Sequence, residues 1–323
     1  MRSAWFKVIS CSTTRKWASG GNDATLIDAL VSSTAEAEKL AVESLFAAFA
    51  TNEDFLTTIW QKRPFLCEAK LNNLVGAFTM ENVQQAVDGD FIEAGRGTVL
   101  ESGGGWNMAS VSQPRGTSFE DAKLRFEDVK MAMKKTSGTI VFNSAGGFIP
   151  PLAGVCLETV AAFGIPAALN MYLTDPGQQL SAPPHTDRQE VFVLQTQGQK
   201  RWRVFAPPSV VLAPKADPFA RGKGKDELPL ASIGAPLLDT VMQPGQVLYI
   251  PAGYPHTTDT LAGVSSAEPS VHLTVGLDAH VWGLSYAGLR GYALRRAGLE
   301  SDLNLAKVDP AAYWELQVLG GFG

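Results

Sequence analysis

Through the first 60 or so positions, apolar residues recur at helical spacing. Leu40, Leu45, Phe46 and Phe49, then Phe55, Ile59 and Trp60, mark such faces between Leu26 and Trp60, which predicts two helices. Asn52 followed by Glu53 and Asp54 predicts a cap for the second, since a side-chain oxygen satisfies an orphan N–H and acids suit the positive helix end. Pro64 stops that helix, and an apolar extended piece follows it. Thr79 predicts a cap for a short helix through Val87, with Met80 and Val83 at helical spacing. Residues 95–116, rich in Gly and Ser, read as turns and short strands. Ser118 with Asp121 predicts the opening of a charged helix that stops near Gly138.

Beyond Gly138 the pattern changes. Thr139 to Phe142 is a β-branched, apolar run ended by Asn-Ser-Ala-Gly-Gly, a strand and its turn. Leu152 to Phe163 fits a short buried helix closed by Gly164, and Ala167 to Leu173 begins a series of strands. Glu190 to Gln195 and Lys200 to Phe205 are joined by Thr-Gln-Gly-Gln and read as a hairpin-like pair. Residues 213–236 read as a surface insertion. The turn Pro244-Gly245-Gln246 leads into a strand from Val247 to Ile250, and Val271 to Leu277 is another, with His272, Thr274 and Gly276 on one face. Val281 to Gly298 is expected to be helical. The expected class is mainly β with flanking helices: a small jelly-roll barrel between helical N-terminal and C-terminal segments. The divisions expected are a flexible 1–22, a helical and mixed scaffold over 23–138, the barrel core over 139–280 and a helical 281–323.

Composition narrows the function. With 45% apolar and 18% charged residues, the chain reads as an ordinary soluble protein. A net charge of −5 gives no global reason to expect nucleic acid or an anionic membrane as partner. Nor does any apolar run approach the ~20 residues of a spanning helix. Cys11, Cys67 and Cys156 are odd in number and scattered, which argues against a disulfide framework and for a reducing, intracellular compartment. Residues 1–22 are basic, acid-free and rich in Ser and Thr, like an organelle transit peptide. Nucleus or nucleolus, cytosol, and mitochondrion or plastid thus all stay open.

Histidine carries the chemistry. There are four, and none precedes His185. In His185-Thr186-Asp187 the imidazole and the carboxylate stand two residues apart, hence on one face of an extended segment, which Pro183 and Pro184 favour. His256 follows the second strand and its Pro/Gly turn. Two histidines and one carboxylate with no fourth protein ligand suit non-haem Fe(II), which needs open positions for substrate and dioxygen. Structural zinc would want a fourth ligand, and no cysteine lies near the motif. His272 suits a supporting or structural role, and His280 a structural one. Lys200 shares a strand face with Trp202 and Val204. Turned inward it needs an anion, such as a dicarboxylate chelating the metal at its other end. Turned outward it joins Arg201 and Arg203 at the surface, and the residues alone leave both readings open.

Three blocks stand in order. The first is His185-Thr186-Asp187 with Glu190, Phe192 and Gln195, running into Gly198, Lys200 and Trp202-Arg203-Val204. The second is Pro244-Gly245 with Leu248-Tyr249-Ile250-Pro251, Gly253 and His256, and the third is the earlier Trp60 with Lys62-Arg63-Pro64. Together they resemble the JmjC-type ribosomal oxygenases over roughly residues 40–290. The resemblance implies a double-stranded β-helix (jelly-roll, cupin) core and Fe(II)- and 2-oxoglutarate-dependent hydroxylation, with O2 as cosubstrate, of a histidine or arginine side chain in a ribosomal protein. It implies Fe(II) on His185, Asp187 and His256, and the distal 2-oxoglutarate carboxylate on Lys200. Asn170 and Thr274 would line the cosubstrate pocket, and Tyr172 would face the target. Two departures stand out: Gly276 replaces an expected substrate-contacting serine, and too little chain follows His280 for the family's dimerisation and winged-helix-like regions, so a homodimer is left open. Alternatives are a JmjC histone N-methyl-lysine demethylase and a non-catalytic metal-binding cupin.

Overall fold

The computed structural model describes residues 26, 28, 43–68, 70–92, 97–100, 108–110, 124–136, 139–207, 228, 230–261 and 263–279. The expectations for 1–22, for the helix start at Ser118, for His280 and for the helix after Val281 lie outside the described residues.

Helix α1 (Glu43–Thr51) is followed by one π-helical turn (Phe55–Ile59) and strand β1 (Phe65–Cys67). The carboxamide of Asn52 accepts the Phe55 N–H at 2.8 Å, as the sequence predicts. Helix α2 (Met80–Asp88) opens with Thr79 and Asn82 in a capping box. Strands β2 (Gly97–Leu100) and β3 (Met108–Ser110) precede α3 (Phe126–Thr136), β4 (Thr139–Phe142) and α4 (Pro150–Phe163). Eight more strands complete the fold: β5 (Ala167–Thr174), β6 (Ala182–His185), β7 (Glu190–Gln197), β8 (Lys200–Phe205), β9 (Pro236–Met242), β10 (Val247–Ile250), β11 (His256–Asp259) and β12 (Ser270–Leu277).

These strands form two antiparallel sheets. The larger runs β1-β10-β7-β12-β5-β4-β2-β3 and the smaller β6-β11-β8-β9. The large sheet is covered on both faces, which is why its strands read as nearly continuous apolar runs. Phe192, Leu194, Val247 and Tyr249 pack toward the helices with Phe46, Phe49 and Phe55. The alternate residues Val191, Val193, Leu248 and Ile250 meet Trp202, Val204 and Met242 of the small sheet. A cavity opens between the two sheets.

One expectation is corrected. Strands β7 and β8 follow each other closely, yet they do not pair. Strand β7 lies between β10 and β12 in one sheet, whereas β8 lies between β11 and β9 in the other. The link between them is a corner that changes sheets, and it turns on Gly198 at φ +62°. A Cβ there would stand 2.4 Å from the Pro269 carbonyl oxygen. Gly198→Ala therefore meets both an unfavourable backbone angle and a rigid backbone neighbour. We expect it to lower unfolding free energy by about 1–3 kcal/mol, read from urea denaturation. The strand β9, beside the expected surface insertion, was not legible as a strand: six of its seven residues are solvent-facing or half-buried, so it carries little core signal.

Candidate metal centre

His185 is the last residue of β6 and His256 the first of β11, and the two are register partners across the small sheet. Strand pairing thus sets side by side two imidazoles that are distant in sequence. Their ring centroids are 4.1 Å apart. Asp187 lies just beyond β6, and its Oδ2 stands 3.9 Å from His185 Nε2 and 3.4 Å from His256 Nε2. One ligand atom from each of the three falls within 4.8 Å of the others. Both histidines are buried, while the Asp187 side chain is 26% exposed, so the group opens to solvent on the carboxylate side.

The ring orientations are set by backbone. His185 Nδ1 lies 2.7 Å from the Pro183 carbonyl, and His256 Nδ1 lies 3.0 Å from the Tyr254 carbonyl. A carbonyl only accepts, so each Nδ1 carries a proton, and Nε2 is the ring nitrogen turned toward Asp187. Two imidazole nitrogens and one carboxylate, converging with one side open, are a donor set that suits a divalent transition metal.

The remaining residues singled out above fall as follows. Lys200 is buried and turned inward, and its Nζ donates to Thr174 Oγ1 at 2.8 Å. The alternation of β8 sends Arg201 and Arg203 the other way, to Asp239 and Asp259. The Arg201 guanidinium grips Asp239 through two hydrogen bonds of 2.7 Å and holds its carboxyl below the usual range. Tyr172 and Thr274 line the same cavity as the three candidate ligands and Lys200. Tyr172 stacks on His272, ring centroids 4.7 Å apart. Asn170 is half-buried beside Thr274 across the β5–β12 ladder, and its carboxamide oxygen accepts the Ser144 N–H at 2.9 Å. It is not among the residues that line the cavity.

Residues that the sequence reading missed are Thr174, Thr258 and the wall made by Trp202. Thr174 was within reach of the β5 alternation, which places it on the same face as Asn170 and Tyr172. Trp202 lies beside His256 and His272, centroids 6.0 and 5.4 Å away, and its buried indole N–H has no acceptor among the described residues. The Gly276 departure has a physical counterpart. A Cβ there would lie 2.3 Å from Gln189 Oε1, and the Gln189 amide donates to Asp278 at 3.1 Å. A serine at this position would displace that side chain.

A double-stranded β-helix with two histidines and an aspartate at its mouth defines a class: cupin-type metal proteins with an open coordination sphere. The comparisons make this narrower. Residues 154–283 match the family model described as JmjC domain. Ribosomal oxygenase 2 of Rattus norvegicus is 33% identical over 156 residues, 48% of this chain and 30% of that protein. Ribosomal oxygenase 1 of Gallus gallus is 39% identical over 142 residues, 44% of this chain and 22% of that protein. The chain therefore spans less than a third of the length of these relatives. The X-ray structure of E. coli ycfD matches with a TM-score of 0.50 at 19% identity, over 82% of this chain and 67% of that one, which shows a shared fold. Among the described residues no helix is long and apolar enough to cross a membrane.

Proposed function

We propose that the chain is an Fe(II)- and 2-oxoglutarate-dependent oxygenase that hydroxylates a histidine or arginine side chain of a ribosomal protein. The observation that carries this reading is the convergence of His185, Asp187 and His256, each imidazole fixed by a carbonyl, with the opposite side open. The names of the relatives supply the ribosomal part.

The residues present fit the two groups the reading requires. His185 Nε2, His256 Nε2 and an Asp187 oxygen would hold the ferrous ion. Lys200 would receive the distal carboxylate of 2-oxoglutarate. His256 is the register partner of Val204, so Lys200 enters four residues further along β8, about 13 Å at strand rise. Both side chains reach into that gap, and what remains suits a five-carbon diacid. The buried indole N–H of Trp202, which has no acceptor among the described residues, adds a donor on the same wall. When bound, ferrous iron with 2-oxoglutarate and O2 supplies the oxidising power for inserting one oxygen atom into a C–H bond, with release of succinate and CO2.

The chain's own part is placement. The pairing of β6 with β11 in the small sheet would fix the ligand spacing, and Tyr172 at the cavity lining would orient the entering side chain. The test is mass spectrometry of ribosomal proteins incubated with the chain, Fe(II) and 2-oxoglutarate. One His or Arg should gain about 16 Da, a single oxygen atom. Loss of a methyl group from a lysine instead, or no change while 2-oxoglutarate also stays unconsumed, would refute the proposal.

A further inference from the structure

The loop from Pro251 to Pro255 joins β10 to β11 and thereby delivers His256. Its backbone touches both sides of the candidate metal centre. The Gly253 N–H donates to the Asp187 carbonyl at 2.9 Å, and the Tyr254 carbonyl faces His256 Nδ1 at 3.0 Å. A third group, the Ala252 N–H, donates to the Glu190 carboxylate at 3.3 Å. One short loop thus sets the main chain of one candidate ligand and the ring of another.

The loop in turn is held from far away in sequence. Tyr249, at the end of β10, donates its hydroxyl to Glu190 Oε2 at 2.5 Å and accepts the Gln61 N–H at 2.9 Å. The Tyr254 hydroxyl donates to the Lys62 carbonyl. Trp60 lies flat on Tyr249, centroids 5.6 Å apart at 18°, and equally flat on Phe163. Gln61 adopts φ +59°, a left-handed angle uncommon for a residue with a side chain, and in that conformation its N–H reaches Tyr249. Burial raises the Glu190 carboxyl above its ordinary range, with the Tyr249 hydroxyl opposing the shift. These contacts involve the Trp60 to Pro64 motif, which the proposed chemistry leaves without a role.

We infer that the segment Trp60–Lys62 is a positioning element of the metal centre: acting through Tyr249, Glu190 and Tyr254, it fixes the loop that sets His256 against Asp187. The inference rests on the metal reading above. None of these residues touches the cavity that would hold metal and cosubstrate. Their contacts reach the metal centre through the loop and through the start of β7, three residues after Asp187. Outer contacts of this kind typically change metal affinity 10- to 100-fold when removed.

The test uses the full chain and Co(II) alone as probe, with affinity from chelator competition and folding from circular dichroism. Glu190→Ala and Tyr254→Phe should each weaken Co(II) binding about tenfold or more at a temperature where the variant is fully folded. Glu190→Gln keeps an acceptor for both Ala252 and Tyr249 and should bind Co(II) nearly as the unaltered chain does. Where Glu190→Ala fails to fold, Tyr254→Phe, which loses one hydroxyl and keeps its ring, carries the comparison. Unchanged Co(II) affinity in the folded variants overturns the inference, as does equal weakening in Glu190→Ala and Glu190→Gln. If the unaltered chain takes up no Co(II), the metal reading falls and this inference with it.

Discussion

Asp187→Ala is expected to lower 2-oxoglutarate turnover by at least about 100-fold, because removing a ligand must cost no less than removing its outer support. Asp187 is the one acid of the three, and it faces both imidazole Nε2 atoms at 3.4 and 3.9 Å. Without it the two imidazoles retain their carbonyl contacts but offer no charge to neutralise a divalent ion. The loss should therefore appear twice, in succinate formation and in a direct Co(II) titration. His185→Ala should behave alike. Unaltered succinate formation in both variants would remove the metal assignment altogether.

Lys200→Met is expected to act on a different step. Taking away one partner of a buried charge pair costs about 3–5 kcal/mol. For 2-oxoglutarate this means an affinity roughly two to three and a half orders of magnitude weaker. Co(II) binding in the absence of 2-oxoglutarate should change far less, since Lys200 supplies no ligand atom and its Nζ donates to Thr174 Oγ1. Arg201→Ala makes the control. Its ion pair with Asp239 is partly exposed on the outer face of the same strand, and such pairs contribute only about 0–1 kcal/mol. Equal effects from Lys200→Met and Arg201→Ala would sink the assignment of Lys200 to the cosubstrate.

Local chemistry was legible where local forces decide. Asn52 and Thr79 cap as their side chains dictate, and the apolar runs at 139–142, 167–173, 190–195, 247–250 and 271–277 are strands because burial on both faces leaves a strong signal. Sheet membership was not legible. Short spacing favours pairing between neighbours, whereas β7 and β8 lie in different sheets on either side of the corner at Gly198. The orientation of Lys200 was undecidable from one strand, because either face of an amphipathic strand can turn inward until the partner sheet is known. His185 and Asp187 could be paired by their spacing. The place of His256 beside them depends on a register between β6 and β11 that no local pattern encodes.

The strand order has a consequence for how the molecule comes into being. Strand β12, the last in sequence among those described, is inserted between β5 and β7. Until it arrives, two long apolar strands keep unsatisfied edges, and unpaired edges invite association with other chains. Such non-local pairing also slows folding, because a large loop must close before any contact rewards it. A nascent chain emerging from a ribosome would thus stay open at its centre until residue 277 is free. Its two candidate histidine ligands and the aspartate belong to the small sheet, which does not contain β12, so they can meet before that closing step, once β11 has paired with β6.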